Sequence, residues 1–242
     1  MARVLSKMGY CSRSRAAELV RTGRVTINGR RVTDPESPVN GKRDRISVDG
    51  APLEQCEKIY LAMNKPRGFV TTASDEKGRE TVYKLLPSRL PWVSPVGRLD
   101  KASEGLLLLT NDSEWGARIT DPENHLDKTY HVKIDCVGSE DLLSKLTRGA
   151  KDVDAHLCCK SASLLRSGQK NSWLEIVLDE GKNRQIRRLL AVNGIAVLRL
   201  VRVAIGPLQL GDLKKGQVRK LSSQEQHALD LASFQPTKPR KP

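Results

Sequence analysis

Residues 95–112 read PVGRLDKASEGLLLLTND and place a charged turn directly before four leucines, Leu106–Leu109. This run is too short for a free-standing helix, and its closure by Thr110 predicts a strand that is covered on both faces. The turn before the strand would then be anchored to the core. In an extended segment Arg98 and Asp100 share one side, so the guanidinium can keep the carboxylate ionised. The alternative is an exposed ion pair that contributes little.

The charge of the chain favours a polyanionic partner. Its 242 residues include 42 Lys and Arg against 28 Asp and Glu, a net charge of +14, which favours nucleic acid over a membrane. The longest apolar run is far too short for a membrane helix and the N-terminus lacks a signal-peptide core, so a cytoplasmic location is predicted. Five cysteines without CxxC spacing and four scattered histidines predict neither a disulfide framework nor a metal site.

The first fifty residues are predicted to form a small basic unit of two helices and a hairpin. Apolar residues recur at helical spacing over 3–8 and 12–22, and a glycine follows each stretch. Alternation around an Asn28-Gly29 turn then predicts a β-hairpin, and Ile46–Val48 a further strand. Eleven basic residues against five acidic ones give the unit a net charge of +6. Contact with phosphates explains this excess better than a solvated basic face.

The rest of the chain alternates between strand and helix patterns after a polar linker at 51–58. A strand at Ile59–Met63, a Pro/Gly turn and a second strand at Phe69–Thr72 are predicted first. Further predicted elements are a short helix at Thr81–Leu86, a strand at Lys128–Ile134, a helix at 139–147, two strands within 161–179, a helix at 183–193 and a strand at Val197–Ile205. Residues 234–242 are predicted to be a basic, Pro-rich tail.

Several phrases of the sequence match one enzyme family in order. GRLDKASEGLLLLTND (97–112) resembles the central motif of the bacterial ribosomal RNA pseudouridine synthases of the small-subunit and large-subunit type. NKPRGFVTT (64–72), KTYHVKI (128–134), GKNRQIRRLL (181–190) and LRLVRVAIGPL (198–208) resemble further motifs of that family. Residues 1–32 look like an S4 RNA-binding domain.

The resemblance implies an α+β fold and a set of site residues. An S4-like domain at 1–50 would precede a catalytic domain at 59–233, built on a mainly antiparallel mixed sheet flanked by helices. Asp100 would be the catalytic carboxylate, Tyr130 would lie against the target base, and Arg187 would pair with Asp100. The substrate-binding residues would be Arg98, in the space left by the flipped nucleotide, Leu200, lining the base pocket, and Lys65, at the floor. The RNA-binding residues of the S4-like domain would be Arg13, Arg15, Arg21, Arg24, Asn28 and Arg30.

The predicted function is isomerisation of uridine to pseudouridine in ribosomal RNA, with the large subunit favoured and the small subunit and transfer RNA left open. No cofactor or metal is predicted, the partner is ribosomal RNA or an assembly intermediate, and the chain is predicted to be a monomer. Whether Asp100 attacks the sugar, attacks the base or acts through a glycal is open. One rival is a glycosylase that pairs Asp100 with Glu104. The other is a non-catalytic S4-type RNA-binding or ribosome-assembly protein.

Overall fold

The N-terminal unit packs two helices against a four-stranded antiparallel sheet. The computed structural model of the chain describes residues 1–41, 43–54, 56–73, 75–153 and 155–234. The helices are α1 (Ala2–Lys7) and α2 (Arg13–Arg21), and the strands are β1 (Val25–Ile27), β2 (Arg30–Val32), β3 (Ile46–Val48) and β4 (Ala51–Pro52), in the order β2-β1-β3-β4. Ser12 caps α2 by accepting a hydrogen bond from the backbone N–H of Arg15. Asn28 and Gly29 have φ angles of 51° and 79°, as the predicted Asn-Gly hairpin turn requires.

A large mixed sheet organises the remainder of the chain. Its region contains the strands β5 (Tyr60–Lys65), β6 (Ser94–Val96), β7 (Glu104–Thr110), β8 (Lys128–Ile134), β9 (Ala150–Asp152), β10 (Ala155–Leu157), β11 (Ser161–Ser167), β12 (Ser172–Leu178), β13 (Val197–Ile205), β14 (Leu208–Gln209) and β15 (Val218–Lys220). The main path is β11-β12-β8-β13-β7-β5-β15, with β14 beside β13 and β6 beside β7, while β9 and β10 form a separate hairpin. Only the β13–β7 pair is parallel among the described pairings. The predicted α+β class with a mainly antiparallel sheet is therefore confirmed.

Helices cover parts of both faces of the large sheet. They are α3 (Ser113–Thr120), α4 (Glu140–Arg148), α5 (Gln185–Val192) and α6 (Ser223–Phe234), with short 3₁₀ turns at Val82–Leu85 and Pro122–Asn124. One apolar cluster joins α4 and α5 to β8, β12 and β13. A second cluster joins α3 and α6 to β5 and β7.

Strand β7 is buried along its whole length, as the leucine run predicts. Leu106 and Leu108 pack in the cluster with α3 and α6, whereas Leu107 and Leu109 pack on the other face with Leu99. Because Leu99 immediately precedes Asp100, the turn that carries the carboxylate is fixed to the core.

Gly105 allows β7 to approach β13 closely. It has a φ of +103°, and a Cβ atom at this position would lie 2.2 Å from the carbonyl oxygen of Arg202. Only glycine fits both the backbone conformation and the space.

Some predicted elements differ from the structure. Phe69–Thr72 does not form a strand, because Val70 makes only an isolated bridge to Thr81 and the hydroxyl of Thr71 donates instead to the backbone of Leu99. The predicted helix at Thr81–Leu86 is a 3₁₀ turn, and α3 and α6 were not predicted. Except for Phe234, the predicted tail lies outside the described residues.

The end of β7 also binds the segment that joins the two parts of the chain. The side chain of Asn111 accepts from the backbone N–H of Ile59 at 2.8 Å and donates to the carbonyl of Glu57 at 2.8 Å. Lys7 of α1 forms a 2.7 Å ion pair with Glu114 of α3. The bonds of Asn111 hold the end of the predicted linker against β7, and the ion pair joins α1 to α3.

Candidate active site

The loop from Arg98 to Ser103 has every one of its backbone carbonyls hydrogen-bonded. This loop connects β6 to β7 and carries Asp100 at its centre. The donors to the six carbonyls, in chain order, are Arg202 Nη1 (3.5 Å), Thr71 Oγ1 (2.7 Å), Lys65 Nζ (3.0 Å), the Gly68 N–H (2.8 Å), Arg187 Nη2 (3.2 Å) and Lys65 Nζ again (2.9 Å). Because all six carbonyls are bonded, the backbone of the loop is fixed and the side chain of Asp100 has a defined direction.

Lys65 lies beneath the loop that carries Asp100. Its side chain is fully buried, and its ammonium donates to the carbonyls of Pro66, Asp100 and Ser103. Burial lowers the pKa of Lys65 to about 8, although the charges of Asp100 and Glu104 oppose the decrease. A buried ammonium with three carbonyl partners supports the loop from below, in keeping with the predicted place of Lys65 at the floor of the site, and its role in substrate binding stays a prediction.

Among the described residues, Arg184 is the arginine within ion-pair distance of Asp100. Its Nη1 lies 3.8 Å from Oδ2 of Asp100. Arg184 has a left-handed backbone, with φ of 49° at the N-cap of α5. The predicted partner, Arg187, instead bonds the carbonyls of Ala102 and Val197.

The carboxylate of Asp100 nevertheless interacts electrostatically with Arg187, without a direct hydrogen bond. Burial is the main cause that lowers the pKa of the Arg187 guanidinium, the nearby charge of Arg184 lowers it further, and the charge of Asp100 partly offsets both. We conclude that Arg184 provides the direct contact to Asp100, while Arg187 provides a buried positive charge beside its loop.

A cavity of about 690 Å³ opens beside Asp100. Arg98, Asp100, Tyr130 and Leu200 all line it, so the structure brings together four of the six residues predicted for catalysis and substrate binding. Tyr130 on β8 lies opposite Arg202 on β13, and Leu200 lies two residues from Arg202, so the ring and the leucine share one face of the sheet. Such an arrangement offers an apolar slot for a flat ring next to a carboxylate.

Polar residues that were not predicted also line this cavity. They are Ser103, Lys128, Lys182, Arg184 and Arg202, among others. Alternation along β8 and β13 would have put Lys128 and Arg202 on the face of Tyr130 and Leu200. The sequence gives no sign, however, that these cations are largely buried.

Glu104 belongs to a separate cluster of charges. It is 4 % exposed, and its carboxylate bonds Arg199 at 2.9 and 3.1 Å and Lys215 at 2.6 Å. Burial raises the pKa of Glu104, but the hydrogen bonds from Lys215 and Arg199 outweigh this effect and lower it overall. Glu104 does not line the cavity beside Asp100 in the described chain, so the carboxylate pair of a glycosylase is not formed.

The six residues predicted to bind RNA are exposed on the N-terminal unit, but they are not equivalent. Arg24 pairs with Asp49 and Arg15 with Glu18. The side-chain amide of Asn28 donates to Asp44 and accepts from the N–H of Arg45, so it is used within the unit. Arg13, Arg21 and Arg30 have no ion pair with any described residue and keep their charge available.

The described part of the chain contains neither a candidate metal site nor a candidate membrane helix. No group of three or more His, Cys, Asp or Glu there is arranged to hold a metal ion. None of its helices has the length and apolar character that a membrane crossing requires.

The chain was compared with known protein families and structures. A family model described as RNA pseudouridylate synthase matches residues 59–192, and one described as S4 domain matches residues 2–46. The chain therefore belongs to the RNA pseudouridylate synthase family, enzymes that convert uridine to pseudouridine in RNA, and it carries an S4 domain at its N-terminal end.

Individual relatives are similar over nearly the whole chain. The ribosomal large subunit pseudouridine synthase B of Bacillus subtilis (strain 168) is 36% identical over 93% of each chain. An uncharacterized RNA pseudouridine synthase of Aquifex aeolicus (strain VF5) is 36% identical over 91% of this chain and 89% of the relative. A crystal structure of a pseudouridylate synthase matches with a TM-score of 0.64 and 31% identity, over 90% of this chain and 94% of that one.

Proposed function

We propose that this enzyme isomerises a uridine of large-subunit ribosomal RNA and that Asp100 is its catalytic carboxylate. The observation that carries the proposal is the position of Asp100, on a fixed loop beside a cavity that also presents Tyr130 and Leu200. The choice of RNA is supported by the Bacillus subtilis relative, whose name assigns it to the large ribosomal subunit.

The reaction moves the ribose C1′ from N1 to C5 of the same uracil. It needs a group that acts on the nucleoside, a pocket that retains the freed base and a way to take the nucleotide out of its stack. Asp100 would act at the sugar or the base, or by taking the C2′ proton to give a glycal. Tyr130 and Leu200 would hold the uracil between them, and Arg98 would occupy the space that the flipped nucleotide leaves.

The cations around the loop would serve two purposes. Arg187 and Lys65 hold the loop through its carbonyls and so fix the position from which Asp100 acts. Arg184 and Lys182, which are exposed at the cavity, would contact phosphates on either side of the target nucleotide.

The N-terminal unit would bind a part of the RNA that lies outside the cavity. We propose a domain at 1–50 and a catalytic domain at 59–233, with Arg13, Arg21 and Arg30 as the main phosphate contacts of the first domain. Arg15, Arg24 and Asn28 would contribute less because each already has a partner within the unit. We propose that the enzyme acts in the cytoplasm, where ribosomal RNA is found, and that it acts as a monomer.

The experiment is pseudouridine mapping on ribosomal RNA from a strain that lacks the gene, complemented with wild type or with Asp100→Asn. The substitution removes the carboxylate with almost no change in shape. We expect one large-subunit modification to disappear in the deletion strain and to return only with wild type. A site that returns with Asp100→Asn would refute the role of Asp100. A full set of large-subunit pseudouridines in the deletion strain would refute the proposed RNA target and favour transfer RNA, small-subunit RNA or a binding role.

A further inference from the structure

Arg202 presents a buried guanidinium nitrogen that has no hydrogen-bond partner in the part of the chain that the structure describes. The residue is 5 % exposed, its Nε donates to the carbonyl of Leu106 at 2.7 Å, and its Nη1 donates to the carbonyl of Arg98 at 3.5 Å. The remaining nitrogen, Nη2, is buried and has no hydrogen-bond partner among the described residues. An unpaired buried donor on a charged group is costly, so such an atom marks a place where a ligand can contribute an acceptor.

Arg202 borders the cavity beside Asp100. It lies directly opposite Tyr130 on the neighbouring strand and two residues from Leu200 on its own strand, and all three share one face. Ser103, on the other side of Arg202, has a buried hydroxyl that also lacks a partner among the described residues and also lines the cavity. Two unpaired polar groups therefore lie beside the apolar slot formed by Tyr130 and Leu200.

A second cation increases the positive potential at this end of the cavity. Lys128 lies two residues before Tyr130 on the same face of β8. Burial lowers the pKa of Lys128, and the charge of Arg202 lowers it further. The nearby charges of Asp127 and Asp179 partly oppose this decrease. Lys128 is half-buried, and because both cations line the cavity, an anion bound there would interact favourably with each.

The reaction creates an anion in this cavity. When the N1–C1′ bond breaks, both bonding electrons stay on the uracil ring, and the negative charge spreads to the O2 and O4 oxygens. The ring then gives an electron pair to C1′ through C5, loses the C5 proton and gains a proton at N1. The charge therefore exists only between the breaking of one bond and the formation of the other, so a donor aimed at a ring oxygen stabilises this stage most.

We propose that Arg202 is a further catalytic residue, which donates from Nη2 to a carbonyl oxygen of the uracil and stabilises the ring as it leaves the ribose. The hydroxyl of Ser103 would form a hydrogen bond with a neighbouring polar atom on the same edge of the uracil ring. The inference rests on the proposed function, in which Tyr130 and Leu200 hold the base. A base edge suits the position of Arg202 better than a phosphate, because the residue is buried beside the slot while Arg98, Lys182 and Arg184 are exposed. Protein atoms cover Nη2, so neighbouring side chains must shift as the base enters.

The test uses the stability of the leaving ring as a probe. A synthetic hairpin would carry the target uridine identified by mapping, and a second hairpin would carry 5-fluorouridine there, because fluorine stabilises the uracil anion. Single-turnover loss of the N-linked nucleoside would be measured by mass spectrometry for wild type, Arg202→Met and Lys65→Met. Lys65→Met is the matched control because it loosens the same loop without touching the cavity.

We expect Arg202→Met to slow cleavage of the uridine bond by about 100-fold and that of the fluorinated nucleoside by about 10-fold or less. Lys65→Met should slow both reactions by the same factor. Equal losses on both hairpins for Arg202→Met, or no loss, would overturn the role of Arg202 and leave the proposed function intact. Absence of reaction with wild type on the uridine hairpin would overturn both proposals.

The variant Arg202→Lys guards against a failure of Arg202→Met to fold, which a thermal melt would reveal. It keeps the charge and an N–H donor, so we expect a smaller loss on the uridine hairpin than Arg202→Met shows, still larger than its loss on the fluorinated hairpin. If neither variant melts cooperatively, Arg202 is required for folding, and the proposal is overturned in favour of a structural role.

Discussion

The N-terminal unit and the loop around Asp100 use positive charge in opposite surroundings. On the unit, Arg13, Arg21 and Arg30 are exposed and unpaired among the described residues. Such side chains suit contact with RNA phosphates, which does not depend on the nucleotide sequence. Around the loop, Lys65 and Arg202 are buried and bond to carbonyls. Under the proposed function, the first region would determine how tightly RNA is held, whereas the second would determine the rate of the chemistry.

The largest effect that tests this comparison concerns Arg187. Arg187→Met removes a half-buried charge and the bond to the carbonyl of Ala102, so the loop can move away from its working position. We expect the single-turnover rate to fall by about 100-fold while RNA affinity changes little. Rates and affinities would be measured on the same hairpin.

Arg184→Met is the matched control for Arg187→Met. Arg184 is exposed and lies 3.8 Å from Asp100, so its loss should reduce the rate by about 10-fold or less. A larger loss of rate for Arg184→Met than for Arg187→Met would contradict the distinction between buried and exposed cations.

The next effect concerns the exposed arginines. The triple variant Arg13→Ala, Arg21→Ala and Arg30→Ala should weaken RNA binding by about 10- to 100-fold and leave the single-turnover rate at saturating enzyme unchanged. The slope of log affinity against log salt should decrease by about 2–3.

Arg24→Ala alone is the control for the triple variant, since Arg24 already pairs with Asp49. It should change the salt slope by less than any single substitution among the three unpaired arginines. An unchanged slope in the triple variant would show that this face does not meet the RNA.

The smallest effect is a pH dependence of stability caused by Lys65. Its pKa is lowered by burial to about 8 in the folded protein, so between that value and its usual range the unfolded chain binds more protons. Stability from this group therefore increases with pH. From pH 8 to 9.5 we expect the free energy of unfolding to rise by about 1.5 kcal/mol relative to Lys65→Met.

Denaturant unfolding of both proteins across that range provides the measurement, because titration of every other group cancels in the difference. A difference that does not change with pH would mean that Lys65 keeps its ordinary pKa beneath the loop.

The elements that sequence predicts well are those with one dominant pattern. The leucine run of β7, the alternation of β8 and the long apolar strand β13 all match their predicted bounds closely, because burial on a sheet requires such patterns. The segment Phe69–Thr72 looks like a strand for the same reason and is not one, since the hydroxyl of Thr71 bonds the loop backbone. Helix α3 depends on a cap by Asp112 and on only two fully buried side chains, Trp115 and Ile119, which give a weak periodic signal.

The site was predictable where side chains project from regular strands and less so elsewhere. Asp100, Tyr130 and Leu200 do line one cavity. The ion pair of Arg184 depends on a left-handed residue at the start of α5, which no spacing reveals. The burial of Arg202 depends on its contacts with Leu106 and Arg98, each about a hundred positions away in the sequence.

The bonded carbonyls from Arg98 to Ser103 bear on how such an enzyme can change its target. Because the loop is held by its backbone, its shape depends little on the side chains at the exposed positions 98 and 101. Position 101 and the arginines of the N-terminal unit can therefore vary without disturbing Asp100, whereas Arg98 also has a proposed place beside the flipped nucleotide. The enzyme encoded by a duplicated gene could come to act on a different uridine through changes at its surface alone, while the loop that positions Asp100 stays the same.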